Sequence, residues 1–110
     1  MRIGSITHKF VPVETRVPLK FGTETLTSVT CSRIRLEARG TSGSTVTGWG
    51  ETPLSVQWVW PSALSYLERH EVLMAFSESL VEAWTGWERE GDALELGHDL
   101  VFEDLPKRLD

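Results

Sequence analysis

Residues 29–51 limit the fold more than any other stretch. Over residues 29–39, Ile34, Leu36 and Ala38 fall on one side of an extended chain, with Cys31, Arg33, Arg35 and Glu37 on the other. A period of two with one apolar face is the signature of a half-buried antiparallel strand. Gly40-Thr41-Ser42-Gly43-Ser44 is a turn cluster, and residues 45–51, rich in Thr, Val and Trp, read as the return strand. Upstream, residues 3–16 are extended: Ile6, His8, Phe10 and Pro12 alternate against Val11 and Val13, and Pro12 marks an edge or a bulge. Val17-Pro18-Leu19-Lys20-Phe21-Gly22 breaks that strand, and residues 23–28 read as a polar, mobile, Thr-rich loop. The first half is therefore a three-stranded antiparallel meander.

The second half has helical spacing. Val56-Gln57-Trp58-Val59-Trp60 is an aromatic loop, after which residues 61–84 are helical, starting at Pro61 or Ser62. Leu64 and Leu67 share one face, as do Leu73, Phe76, Leu80 and Trp84. The step from Leu67 to Leu73 breaks phase, which predicts a kink or a helix junction near His70. Residues 86–91 connect to a last helix over 94–105, opened by a capping pair, Asp92 and Glu95. Pro106 cannot continue that helix but suits the first turn of another. Only residues 106–110 remain for it, too few for a lone stable turn, so the sequence reads as cut short there. The fold class is α+β.

The 110 residues fit one domain, residues 1–110, and 40% hydrophobic with 25% charged content fits a soluble globular chain. A net charge of −5, with scattered basic residues, argues against nucleic acid and anionic membranes as partners. The single cysteine, Cys31, excludes an intrachain disulfide and fits a reducing, cytoplasmic setting. No apolar run approaches the ~18–20 residues that span a bilayer, and no secretory h-region is visible.

Few residues suggest chemistry. The Gly40 to Ser44 cluster lacks the Gly-Lys-Ser/Thr ending of a phosphate loop and reads as a hairpin turn. Glu95 and His98 have the spacing of half a di-iron site, but a second copy and further glutamates are missing, which favours a solvated helix face. His8, Cys31, His70 and His98 lack zinc-ligand spacing, and no nucleophile elbow occurs. Glu51, between Gly50 and Thr52, either touches a substrate or, the favoured reading, fixes the turn by accepting hydrogen bonds from loop amides. Gly48 and Gly50 then serve close backbone approach or a positive φ. Trp60 reads as packed on the helix it precedes, whereas Trp58 is open between core packing and a water-excluding lid.

Val17-Pro18-Leu19-Lys20-Phe21, the strand over 29–38 and Gly48-Trp49-Gly50-Glu51-Thr52-Pro53, in this order and spacing, resemble the N-terminal capping domain of the enolase superfamily, in its mandelate racemase and muconate-lactonizing branch. The resemblance covers nearly the whole chain. It implies an α+β cap over a C-terminal barrel domain, which is absent here and would be this chain's partner. It also implies two substrate-specificity loops, over residues 20–26 and 52–60. The candidate site residues on them are Lys20, Phe21, Thr23, Thr25, Val56, Trp58 and Trp60. Lys20 either pairs with a distal acidic group or is a solvated strand-end charge, and Thr23 and Thr25 could donate hydrogen bonds.

In that family the barrel supplies the magnesium ligands and the bases that abstract a proton alpha to a carboxylate. No catalytic residue, metal ligand or cofactor site is therefore expected in this chain, and magnesium (Mg) is expected in the barrel. The substrate would be a small carboxylate, and the reaction a racemisation, epimerisation, dehydration or cycloisomerisation. The fragment alone would be inactive, and a homo-oligomer of the full enzyme is compatible with the resemblance. Two competing readings remain: a stand-alone binding module that uses the aromatic loop, and, last, a small complete enzyme.

Overall fold

The computed structural model describes residues 1–60 and 62–109, with the side chains of Phe21 and Leu109 outside that description. Three strands, β1 (Arg2–Phe21), β2 (Glu24–Arg39) and β3 (Thr45–Pro53), form one antiparallel sheet in the order β1-β2-β3. Helices α1 (Val56–Val59), α2 (Tyr66–Thr85), α3 (Ala93–Asp99) and α4 (Leu105–Leu109) follow. This is the α+β meander-then-helix order expected from the sequence.

The first hairpin is longer than its sequence suggests. Glu14 lies opposite Ser28 and Leu19 opposite Leu26, so residues 15–18 of β1 face Thr27 alone. Pro18 has no amide to give to a ladder, and Thr15 Oγ1 donates to the Thr27 carbonyl across the gap at 3.1 Å. The expected break at 17–22 is thus a wide bulge, after which pairing resumes at Leu19 and Leu26. Residues 24–28, expected in a mobile loop, belong to β2. Their threonines suit a strand, and their lack of an apolar face hid it. A tight turn at Gly22 and Thr23 closes the tip, with Gly22 at φ +62° as a two-residue hairpin loop requires.

The second turn is the expected one. Gly40 N–H donates to the Ser44 carbonyl at 2.8 Å and Gly43 N–H to the Gly40 carbonyl at 3.1 Å. Gly43 sits at φ +81°. β3 then pairs with β2 along its whole length, Arg39 opposite Thr45 and Cys31 opposite Pro53.

Helix α2 corrects two expectations. It starts at Tyr66, after a capping box at Ser65: Glu68 N–H donates to Ser65 Oγ and Ser65 N–H to Glu68 Oε2. The expected start at Ser62 lies outside the helix, and Pro61 lies outside the described residues. No kink interrupts α2 near His70, for it runs as one 20-residue helix. The phase break vanishes once the inward stripe is followed from Arg69, which is 4% exposed, through Leu73 and Leu80 to Ala83 and Trp84. A charged residue occupies the position where an apolar one was sought, while Leu64 and Leu67 are exposed.

Asp92 and Glu95 form the expected capping box of α3. The helix does not end at Leu105. A π segment (Leu100–Asp104) joins α3 to α4, with Leu105 N–H donating to the Leu100 carbonyl. The widened turn directly precedes Pro106, where an α-helical ladder loses a donor. Arg108 and Asp104 pair across this junction.

One sheet face meets the helices. Ile3, Ile6, Ile34 and Leu36 line a cavity of about 200 Å³ together with Val81, Trp84 and Leu96. Ala38, Ala83, Leu96 and Leu100 are buried, and Leu26, Leu54 and Val56 form a second buried set toward the hairpin tip. No helix among the described residues is long and apolar enough to cross a membrane.

Candidate functional site at the hairpin tip

Leu54 N–H donates to the Thr30 carbonyl at 2.8 Å, extending the β2–β3 ladder and turning the chain into α1. The segment expected as an aromatic loop is thus a single helical turn, with Val59 N–H donating to the Ser55 carbonyl and Trp60 N–H to that of Val56. Val56 is fully buried (0% exposed) and anchors this turn, so it is not part of an exposed apolar loop. Trp58 is 72% exposed and Val59 is exposed beside it. Trp60 is half-buried.

Arg69 ties this turn to the hairpin tip. Its Nη1 donates to the Trp60 carbonyl at 2.8 Å and its Nε to the Ser65 carbonyl at 3.4 Å. Its Nη2 lies 3.7 Å from Glu24 Oε1, at the first position of β2. A buried guanidinium needs partners for its charge and its donors, and here they come from both candidate loops. Neither Arg69 nor Glu24 was singled out by sequence reasoning. The available signal was the position of Arg69 on the inward stripe of α2.

The remaining expected residues sit on the tip. Lys20 pairs with Thr25 and Phe21 with Glu24 along the ladder. Lys20, Thr23 and Thr25 are exposed, while the side chain of Phe21 lies outside the described residues. Among the described residues, three buried side-chain atoms lack a hydrogen-bond partner, Ser55 Oγ, Gln57 Oε1 and His70 Nε2, and all belong to α1, its cap or the start of α2. The His70 ring stacks on Tyr66 at 5.6 Å.

The opposite sheet face is charged. Arg33 Nε donates to Glu51 Oε2 at 2.6 Å and Arg35 Nη2 to Glu37 Oε1 at 2.9 Å. Glu51 therefore accepts from a neighbouring strand, not from loop amides as expected. The Arg33 hydrogen bond holds the Glu51 carboxyl below its ordinary range. Burial, with Glu51 beside it, pushes the Cys31 thiol up. Trp49, 68% exposed, lines a shallow concavity with Thr7, Lys9, Arg33 and Arg35.

Gly48 and Gly50 lie opposite Leu36 and Ile34, on the helix-facing side of β3. Neither has a positive φ, and a Cβ on either would meet nothing within 4 Å. Close packing within this chain therefore does not demand glycine at either position.

The histidines have local roles. His8 Nε2 and Ser32 Oγ share a 2.7 Å hydrogen bond. His98 is exposed against Phe102, and Glu95 is spent on its cap. Among the described residues, no group of three or more His, Cys, Asp or Glu side chains converges to hold a metal. No protein-family model, curated protein or solved structure matches the chain.

Proposed function

We propose that this chain is the capping and substrate-specificity domain of an enzyme of the mandelate racemase and muconate-lactonizing type. The observation that carries the reading is the meeting of residues 20–26 and 52–60 at one end of a meander-and-helix domain, through the bond of Arg69 to the Trp60 carbonyl and its approach to Glu24. A cap uses two such segments to close over a substrate and exclude water. Lys20, Thr23 and Thr25 offer a cation and hydroxyls suited to a small carboxylate, and Trp58 offers an apolar cover.

The described residues do not fit a magnesium site, and no metal step is assigned to them. A barrel domain elsewhere would supply the metal ligands and bases. This chain alone would bind and shape a substrate without turning it over.

The coding sequence beyond Asp110 tests the proposal. An open frame of roughly another barrel's length, with a Lys-x-Lys strand and acidic strand ends, supports it. A stop codon directly after Asp110 overturns it. In that case the second reading, a stand-alone interaction module, takes its place, favoured by the exposure of Trp58 and Val59.

A further inference from the structure

We infer that Arg69 is a positioning residue that couples the hairpin tip to the α1 turn, so that the two move as one unit. The inference concerns the chain itself and holds under either reading of function.

The geometry supplies a hinge, an arm and a tie. The hinge is the bulge, where residues 15–18 face Thr27 alone and the regular ladder lapses. The arm is the stretch beyond it, from Leu19 and Leu26 to the Gly22 turn, where β2 has no β3 residue beside it, because β3 pairs only from Cys31 onward. The tie is Arg69, whose fork reaches the Trp60 carbonyl and the Ser65 carbonyl on one side and Glu24 on the other.

The three partners differ in kind. The two carbonyls belong to the stretch that links α1 to α2, and hold Arg69 there. Glu24 is the one carboxylate within 4 Å of Arg69 among the described residues, and its side chain is 45% exposed while that of Arg69 is 5% exposed. A buried guanidinium strongly favours a carboxylate nearby. Withdrawing the tip moves Glu24 away and leaves the charge facing two neutral carbonyls. Displacing α1 moves the Trp60 carbonyl and frees the fork that faces Glu24 at 3.7 Å. Each motion weakens what restrains the other, so a ligand or partner that orders one segment also orders its neighbour.

Amide hydrogen exchange on the 110-residue chain tests this with Glu24→Gln, which alters a partly exposed residue in one arm only. The expected result is exchange at least about threefold faster at Leu19 and Leu26, which face each other in the ladder, and also at Val59 and Trp60, as coupling within one network produces. The amides of Ile34 and Leu36 should be unchanged. Arg69→Lys, which keeps the charge and removes the fork, should accelerate the same two segments. Acceleration confined to the hairpin tip overturns the inference. So does uniform acceleration that includes Ile34 and Leu36, or wild-type exchange in Arg69→Lys.

Discussion

Arg33 and Glu51 are direct cross-strand partners, and the guanidinium Nε reaches the carboxylate at 2.6 Å. The pair fastens the Gly-x-Gly-Glu end of β3 to the central strand on its charged face. Glu37 is held by Arg35, two residues before it on the same strand, and by Ser5 across the sheet. Both carboxyls sit below the ordinary value of 4.5, each chiefly through its arginine hydrogen bond.

A pH dependence follows. When a carboxyl has a lower pKa folded than unfolded, the unfolded chain takes up its proton first as acid is added. The stabilisation is therefore complete above the unfolded value and disappears as pH falls through the folded one. Chemical denaturation at stepwise lower pH should show stability declining below about 4.5. Glu51→Gln should start lower at neutral pH and decline less steeply in acid. An unchanged slope in that variant would show that the Arg33 contact contributes nothing in solution.

The glycines divide into two groups. Gly48→Ala and Gly50→Ala should leave stability unchanged or raise it by about 0.4–1 kcal/mol, because the unfolded chain loses freedom and the folded chain accepts the methyl. Gly22→Ala and Gly43→Ala place a side chain at φ +62° and +81°, and each should cost about 1 kcal/mol or more. Denaturant midpoints of the four variants decide this. Under the capping reading, the first pair should instead weaken association with the barrel domain.

Ser65 closes the first turn of α2 by accepting from Glu68 N–H at 3.2 Å. Ser65→Ala should destabilise the chain by about 1 kcal/mol, and Ser65→Asp should recover most of that. A thermal melt of both variants provides the comparison. Equal loss in the two would mean that the cap is not the source.

Leu94 and Leu96 share helix α3 and differ sharply in burial, at 86% and 3% exposed. Leu96→Ala should cost about 2–5 kcal/mol, since it also enlarges the apolar cavity that Leu96 lines. Leu94→Ala should stay within about 0.5 kcal/mol of wild type. Unfolding free energies of similar size would mean that the helix faces are assigned wrongly.

The meander was legible because Ile34, Leu36 and Ala38 alternate with charges, and because Gly40 and Gly43 punctuate the return. The Asp92 and Glu95 cap was legible from its spacing. The hairpin tip was not, since the strand beyond the bulge has no apolar face to create a period of two. The continuity of α2 was hidden because its buried stripe passes through Arg69, a residue type that rarely goes inside without partners. Those partners, Glu24 and the Trp60 carbonyl, are distant in sequence. The tie between the candidate loops therefore had no local signal, although the loops themselves could be named.

The bulge at residues 15–18 also separates two registers. Pairing between Glu14 and Ser28 is fixed by the long ladder below, and pairing between Leu19 and Leu26 by the turn above. A one-residue slip in an uninterrupted hairpin would invert every side chain down to the core. Here the extra residues absorb it. The Gly22-Thr23 turn can thus be exchanged while Ile6 stays opposite Leu36 and His8 opposite Ile34, as long as Glu24 and Leu26 keep their places beside Arg69 and in the buried set. Only the turn itself is replaceable; the strands just below it are the mount.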